Sequence, residues 1–195
     1  MLTVVGMGPA GLQWLIPAAR EAIAAAEALV GGSRHLQQFP DFAGERFALA
    51  ADMPALLAWI EARTGRRVVV LASGDPLFYG IGTRLIAHFG RERVQVIPGI
   101  SAVQYLCARA GIDMNDMWLT SSHGRAVSFD ALAAHRKVAM VTDGRCGPRE
   151  IAAQLMARGK GHRWMVIGEN LAMENERIHW LPVSAVEDEY EMNAV

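Results

Sequence analysis

Cysteine is almost missing from this chain of 195 residues. Only Cys107 and Cys146 occur, far apart, which argues against a disulfide framework and against the paired spacing of a zinc site. An excess of either charge is missing too, since 19 Lys and Arg face 20 Asp and Glu for a formal net charge of -1. With no basic block to neutralise a phosphate backbone, nucleic acid is not expected as a ligand. Nor is there a long unbroken apolar run. Met1 to Ala19 carries no charged side chain, but three glycines, two prolines and Gln13 interrupt it and no basic leader precedes it. A secretory leader or membrane span is therefore not expected, and a cytoplasmic protein is. No internal repeat, low-complexity tract or heptad pattern is visible, which sets solenoid and fibrous architectures aside. The G-x-S-x-G and H-E-x-x-H patterns of hydrolases are absent as well.

What the chain does have is apolar content, 52% of its residues, ample for a core without covalent staples. Short runs rich in Val and Ile end in glycine turns: Leu2–Val5 before Gly6, Val68–Ala72 before Gly74, and Val94–Ile97 before Pro98-Gly99. Such runs are uniformly apolar rather than alternating, as expected of parallel strands covered on both faces. Helical patterns separate them, at 17–28, at Met53–Arg63 behind Asp52, and at Tyr79–Phe89. Ser101 is placed to cap a helix carrying Val103, Leu106, Cys107 and Ala110 on one stripe. A second series begins near Met117, with strands at Val138–Val141 and Trp164–Ile167 and a helix opening at Pro148 between them. The remainder, including Arg177–Pro182, reads as a terminal meander. The seam falls in the polar interval Gly111–Asn115, giving an N-terminal α/β lobe at 1–112 and a C-terminal α/β lobe at 113–195.

Gly6, Gly8 and Gly11 spell G-x-G-x-x-G after the first strand. A dinucleotide site also needs an acidic residue at the tip of the second strand, and here that strand runs into Gly31-Gly32-Ser33-Arg34. Pro9 further removes an N–H from the turn. Ser73-Gly74-Asp75-Pro76 follows the most hydrophobic strand, with no Lys-Ser/Thr after it, so it is not a nucleoside-triphosphate loop. Pro98-Gly99-Ile100-Ser101 is a third turn of the same kind. Ligands of open α/β sheets gather at the carboxyl ends of the strands, so three such turns point to one ligand crevice.

The segments VVGMGPAGL, SGDPLFYGIG and VIPGISAVQYLCARAG, in this order, resemble the tetrapyrrole methylases, S-adenosylmethionine-dependent enzymes that methylate corrin and porphyrin precursors. WLTSSHGR, VTDGRCGPREIA and VIGENLAMENERI extend the resemblance over essentially the whole chain, toward the branch that methylates C5 of cobalt-precorrin-7 on the way to cobalamin. The resemblance implies two α/β lobes, the first around a mostly parallel sheet and the second around a mixed one, with the ligand cleft between them. It implies S-adenosyl-L-methionine as co-substrate, cobalt only as part of the substrate, and a homodimer. Association with the C15-methylating decarboxylase is a further expectation. Family members typically continue for several residues after EYEMNAV, which implies a terminal edge strand.

Matched position by position, Pro9, Ser73, Gly74, Asp75, Phe78, Ser101 and Ala102 are the expected donor contacts. Thr142 and Leu171 stand near two more, although the family's usual Tyr-Met and Asn-Gly-Thr patterns are absent there. For the carboxylate-rich macrocycle the expected contacts are Gly8, Arg34, His123, Arg125, Arg145 and Arg149, because arginine binds carboxylates in bidentate fashion. Asp75 and His123 are the candidates for proton transfer, and no protein metal site is expected. The rival readings are another tetrapyrrole methylase, such as a metal-free C5-methylating one, and a non-catalytic carrier of donor or tetrapyrrole.

Overall fold

A computed structural model describes all 195 residues, which divide into two compact units, Met1–Ser101 and Ala102–Val195. The first is built on five strands, β1 (Leu2–Gly6), β2 (Ala28–Gly31), β3 (Glu45–Ala48), β4 (Val68–Ala72) and β5 (Val94–Ile97). They lie in the order β3-β2-β4-β1-β5, and every pairing is parallel. Helices α1 (Pro17–Ala24), α2 (Ser33–Leu36), α3 (Met53–Glu61) and α4 (Ile81–Phe89) connect them.

Both faces of this sheet are covered, which is why its central strands show no polar alternation. On one face Val4, Val30 and Val70 pack against Leu56 and Ile60 of α3 and Leu85 and Phe89 of α4. On the other, Val5, Leu29 and Leu71 pack against Ala19 and Ile23 of α1. Leu29, Leu56 and Leu85 are fully buried, each contributing about 1.5–3 kcal/mol relative to exposure.

The expected helix at 17–28 is shorter. It stops at Ala24, and Ala28 already belongs to β2. Glu27 gives the reason: its N–H donates to the Arg67 carbonyl at 2.8 Å while its carboxylate accepts the Arg67 N–H at 2.7 Å. Pairing with the chain that enters β4 thus outweighs the helix propensity of an alanine run. The exposed edge strand β3 escaped the sequence reading because its residues, Glu45-Arg46-Phe47-Ala48, form no apolar run.

The second unit opens with α5 (Ala102–Ala110), eleven positions earlier than a seam at 112 would place it. Val103, Leu106 and Cys107 of this helix face the second sheet, which explains the assignment. That sheet has the order β6-β7-β10-β8-β9, from β6 (Trp118–Ser121), β7 (Val138–Val141), β8 (Trp164–Glu169), β9 (Arg177–Pro182) and β10 (Asn193–Ala194). β6 and β7 are parallel, while β10 runs antiparallel to β7 and β8, and β9 antiparallel to β8. The sheet is therefore mixed. The closing residues do not form an edge strand or a meander, because β10 inserts at the centre of the sheet. Helices α6 (Phe129–Ala134) and α7 (Pro148–Ala157) pack Leu132, Ile151 and Leu155 against Met140, Met165 and Ile167. No helix is long and apolar enough to cross a membrane.

Candidate functional site

At the carboxyl edge of the first sheet three glycines meet at distances that admit no side chain. A Cβ on Gly6 would lie 2.5 Å from the Gly99 backbone, and one on Gly99 would lie 2.2 Å from the Gly74 carbonyl oxygen. The turns after β1, β4 and β5 are thus in direct backbone contact. Gly8 and Gly74 add a two-way bridge, N–H to carbonyl at 3.2 and 3.1 Å. Both have positive φ, 74° and 59°, where glycine is the residue without a steric penalty.

Asp75 locks the same junction. Its Oδ1 accepts the Leu77 N–H at 2.8 Å and its Oδ2 the Gly99 N–H at 3.1 Å. With both oxygens engaged by backbone donors, its observed task is to fix the turns. Ser73 is exposed, and its hydroxyl lies 3.5 Å from Nε2 of His35. His35 is buried, and desolvation, with Arg34 as a smaller like-charge influence, lowers its pKa and favours the neutral ring. Phe78 is half-buried, edge-on to Tyr79 with ring centroids 5.3 Å apart, and Tyr79 holds φ at 51°, a costly conformation for a non-glycine residue. Ser101 is buried at the start of α5 beside Ala102. Turns of this kind present main-chain donors and acceptors together with an aromatic ring, which fits the amino-acid and adenine edges of a nucleoside donor.

The second unit has its own cluster at the carboxyl ends of β6 and β7, organised by Asp143. Its Oδ1 accepts the N–H groups of Arg145 and Cys146, both at 3.0 Å, and its Oδ2 accepts Gly124 N–H at 2.9 Å. The Gly124 and Cys146 bonds hold its carboxyl below the usual range against a small opposing desolvation. His123 turns Nδ1 toward the Thr142 carbonyl at 3.3 Å, and its N–H donates to Ser121 Oγ at 3.1 Å. His123, Arg125 and Arg145 are thereby gathered on two loops tied together by the Asp143 carboxylate and by the Ser122 hydroxyl, which donates to the Cys146 carbonyl at 2.7 Å, and all three are exposed. Asp143 was not singled out in the sequence, although an Asp opening D-G-R-C-G is the residue type that turns a chain by bonding its own backbone.

The other predicted positions fare differently. Thr142 is buried, and its hydroxyl donates to the Asn193 carbonyl at 3.0 Å, so it anchors β10. Leu171 is buried against Gly168. Arg149 is at the start of α7, in an exposed ion pair with Glu189 at 3.6 Å, and Arg34 is exposed on α2. A second hub went unnoticed in the sequence. Buried Glu169 accepts from His179 Nε2 at 2.6 Å and from the Glu191 N–H at 2.8 Å. Burial acts to raise its pKa, but these two donors outweigh it and hold the carboxyl low. No three His, Cys, Asp or Glu side chains converge as a metal-ligand set.

Comparison with known proteins matches residues 1–186 to the family model described as Tetrapyrrole (Corrin/Porphyrin) Methylases. The Cobalt-precorrin-7 C(5)-methyltransferase of Salmonella typhimurium is 78% identical over 195 residues, covering 100% of this chain and 97% of that protein. The Precorrin-6Y C(5,15)-methyltransferase [decarboxylating] of a Sinorhizobium species is 33% identical over 91% of this chain, but only 44% of that protein is matched. Among solved structures, the Precorrin-6Y Methylase from Archaeoglobus fulgidus superposes with a TM-score of 0.77 at 25% identity, over 100% of this chain and 95% of that one. The Uroporphyrin-III C-methyl transferase of Thermus thermophilus, solved with S-adenyl homocysteine, shares the fold at TM-score 0.80 and 18% identity, over 99% and 90% of the two chains. With its two sheets, its glycine-welded turns and a family match over nearly its whole length, the chain belongs to the tetrapyrrole methylases.

Proposed function

We propose that this protein transfers the methyl group of S-adenosylmethionine to C5 of cobalt-precorrin-7 in corrin biosynthesis. The observation that carries the proposal is 78% identity over the whole chain with an enzyme of that name. The donor brings an electrophilic methyl carbon on a sulfonium, so the protein's main task is to hold that carbon in line with the attacking carbon. Pro9, Ser73, Gly74, Phe78, Ser101 and Ala102 bind the donor through the turns, and Asp75 keeps those turns in register through its bonds to Leu77 and Gly99. Thr142 and Leu171 are proposed as donor contacts of the second unit. The co-crystallised product in the Thermus relative supports use of this donor.

C5 of such a macrocycle is enamine-like and needs no strong base for attack. The proton released afterwards goes to His123, whose Nδ1 is satisfied by the Thr142 carbonyl so that Nε2 is the accepting nitrogen. Asp75, with both oxygens committed to backbone, acts as a positioning residue. Arg34, Arg125, Arg145 and Arg149 hold peripheral carboxylates, and Gly8 allows close approach of the macrocycle. Cobalt arrives inside the substrate. A cytoplasmic homodimer is proposed, together with association with a separate C15-methylating decarboxylase. Relatives named for both the C5 and C15 methylations and matched over only 44% of their length support that association.

Calorimetry of the folded protein should show S-adenosylhomocysteine binding in the micromolar range, and labelled donor should yield methylated cobalt-precorrin-7. Absence of donor binding sinks the reading. Donor binding without turnover makes the chain a carrier instead.

A further inference from the structure

In the turn that follows β8, the amides flanking Leu171 are all hydrogen-bonded. Asn170 N–H donates to the Met192 carbonyl at 2.9 Å, Ala172 N–H to Glu176 Oε1 at 2.9 Å and Met173 N–H to the Asn170 carbonyl at 3.0 Å. Leu171 itself takes part in no hydrogen bond through its N–H or its carbonyl, although it is only 6% exposed. Main-chain groups of buried residues are normally paired, so this donor and acceptor are free for a ligand. The Leu171 side chain folds back on Gly168, where an added Cβ would lie 2.6 Å from Leu171 Cδ2. What Leu171 offers a ligand is therefore its main chain, and the value of that contact depends on the shape of the turn.

That shape is imposed on it. Two of the chain's four non-glycine residues with positive φ flank Leu171, Asn170 at 49° and Ala172 at 64°. Asparagine tolerates the left-handed region, but alanine does so at a cost and stays there only where its surroundings require it. Two carboxylates supply the requirement. Half-buried Glu176 holds the Ala172 amide with one oxygen and accepts Arg109 Nε at 3.1 Å with the other, and it also bonds the Tyr105 hydroxyl, which ties the turn to α5. Burial acts to raise its pKa, but the Tyr105, Ala172 and Arg109 donors outweigh it and hold the carboxyl low. On the other side Glu169 grips the Glu191 N–H at 2.8 Å and His179 Nε2 at 2.6 Å. The Glu191 carboxylate in turn accepts Nδ2 of Asn170, next to the Met192 carbonyl that takes the Asn170 N–H.

We propose that Glu176 and Glu169 are positioning residues for the methyl donor, bracketing Leu171 so that its free N–H and carbonyl are held in the left-handed turn before the donor arrives. Glu176 acts directly, through the Ala172 amide, and Glu169 acts through Glu191. The assignment rests on the donor contact proposed above at Leu171. A turn shaped in advance spares the donor the free energy of ordering it on binding, so loss of either clamp weakens donor binding specifically.

Amide hydrogen exchange, calorimetry with S-adenosylhomocysteine and steady-state kinetics on the full chain test this. In the parent, bound S-adenosylhomocysteine should slow the Leu171 amide by roughly tenfold. Glu176→Ala should speed exchange at Ala172, weaken S-adenosylhomocysteine by roughly tenfold and raise the donor KM, with kcat and the tetrapyrrole KM near the parent values. Glu176→Gln keeps an oxygen for the Ala172 amide but loses the charge that pairs with Arg109, so it should fall between, and it serves as the test if the alanine variant does not fold. Adding Ala172→Gly to Glu176→Ala should recover part of the lost affinity, because glycine has no steric penalty at a φ of 64°. Glu169→Ala should speed exchange at Asn170 and weaken the donor more mildly. Faster exchange at Ala172 with unchanged donor affinity overturns the proposal, as does an equal rise in the donor and tetrapyrrole KM, which marks a merely structural clamp. A Leu171 amide indifferent to bound S-adenosylhomocysteine overturns it while leaving the methyltransferase reading intact. A parent that binds no S-adenosylhomocysteine sinks that reading, and the positioning role with it.

Discussion

The Asp75 carboxylate reaches the Gly99 amide at 3.1 Å, joining the turn after β4 to the turn after β5 although β1 lies between those strands. Its other oxygen holds Leu77, so one side chain sets the spacing of two turns proposed to grip the donor. Bonds from backbone N–H to a carboxylate contribute about 1.5–3 kcal/mol. Asp75→Ala should cost stability in that range and weaken S-adenosylhomocysteine binding at least several-fold. Asp75→Asn should fall between, because its amide nitrogen cannot accept the second N–H. Denaturant unfolding and calorimetry on both variants check this, and unchanged donor affinity in Asp75→Ala would refute the positioning role.

A sharper contrast separates two glycines. At Gly99 a methyl group would lie 2.2 Å from the Gly74 carbonyl oxygen, and rigid backbone on both sides offers no relief. At Gly32 nothing lies within 4 Å, and its φ of -61° suits any residue. Gly99→Ala should leave the first unit misfolded or insoluble, whereas Gly32→Ala should fold with a Tm close to that of the parent. Soluble yield and circular dichroism decide.

These relationships also show how far the residues alone could be read. The buried parallel strands were legible because a strand covered on both faces has no choice but an apolar run, and Val68–Ala72 and Val138–Val141 fall where that rule puts them. The glycine turns were legible for the same reason, since few residues permit such close backbone approach. β3 and the central place of β10 were not, because a polar edge strand and a two-residue strand carry no periodic signal. Asp143 and Glu169 were hidden for another reason. Their importance lies in which distant backbone donors they collect, Gly124 for one and Glu191 for the other, and that is a property of the folded chain.

Burial of His35 links the first unit to pH. The folded pKa is depressed below the usual value of about 6.5. Between the two values the unfolded chain binds more protons, so stability is full above about pH 6.5 and falls as the pH drops toward the folded value. The lowered carboxyls of Glu45 and Asp113 act in the same direction but in a more acid range. Urea unfolding at pH 7.5 and 5.5 therefore isolates the histidine. The parent should lose stability between these conditions, and His35→Gln should lose markedly less. Equal losses would mean that His35 is not the group responsible.

Asp143 and Arg125 separate loop order from substrate contact. The Asp143 carboxylate collects the amides of Gly124, Arg145 and Cys146, so Asp143→Ala removes one tie between the His123 loop and the Arg145 loop and leaves the Ser122 bond to the Cys146 carbonyl. Amide exchange in 122–125 and 143–147 should then accelerate, and KM for the tetrapyrrole should rise with only a modest drop in Tm. Arg125→Ala leaves that tie in place and removes one proposed carboxylate partner. It should raise the tetrapyrrole KM, by roughly tenfold for a lost charged pair, with loop exchange and S-adenosylhomocysteine affinity unchanged. Steady-state kinetics with exchange measurements on both variants distinguish the two effects. If Arg125→Ala abolished donor binding while tetrapyrrole affinity stayed normal, the assignment of this loop to the macrocycle would have to be reversed.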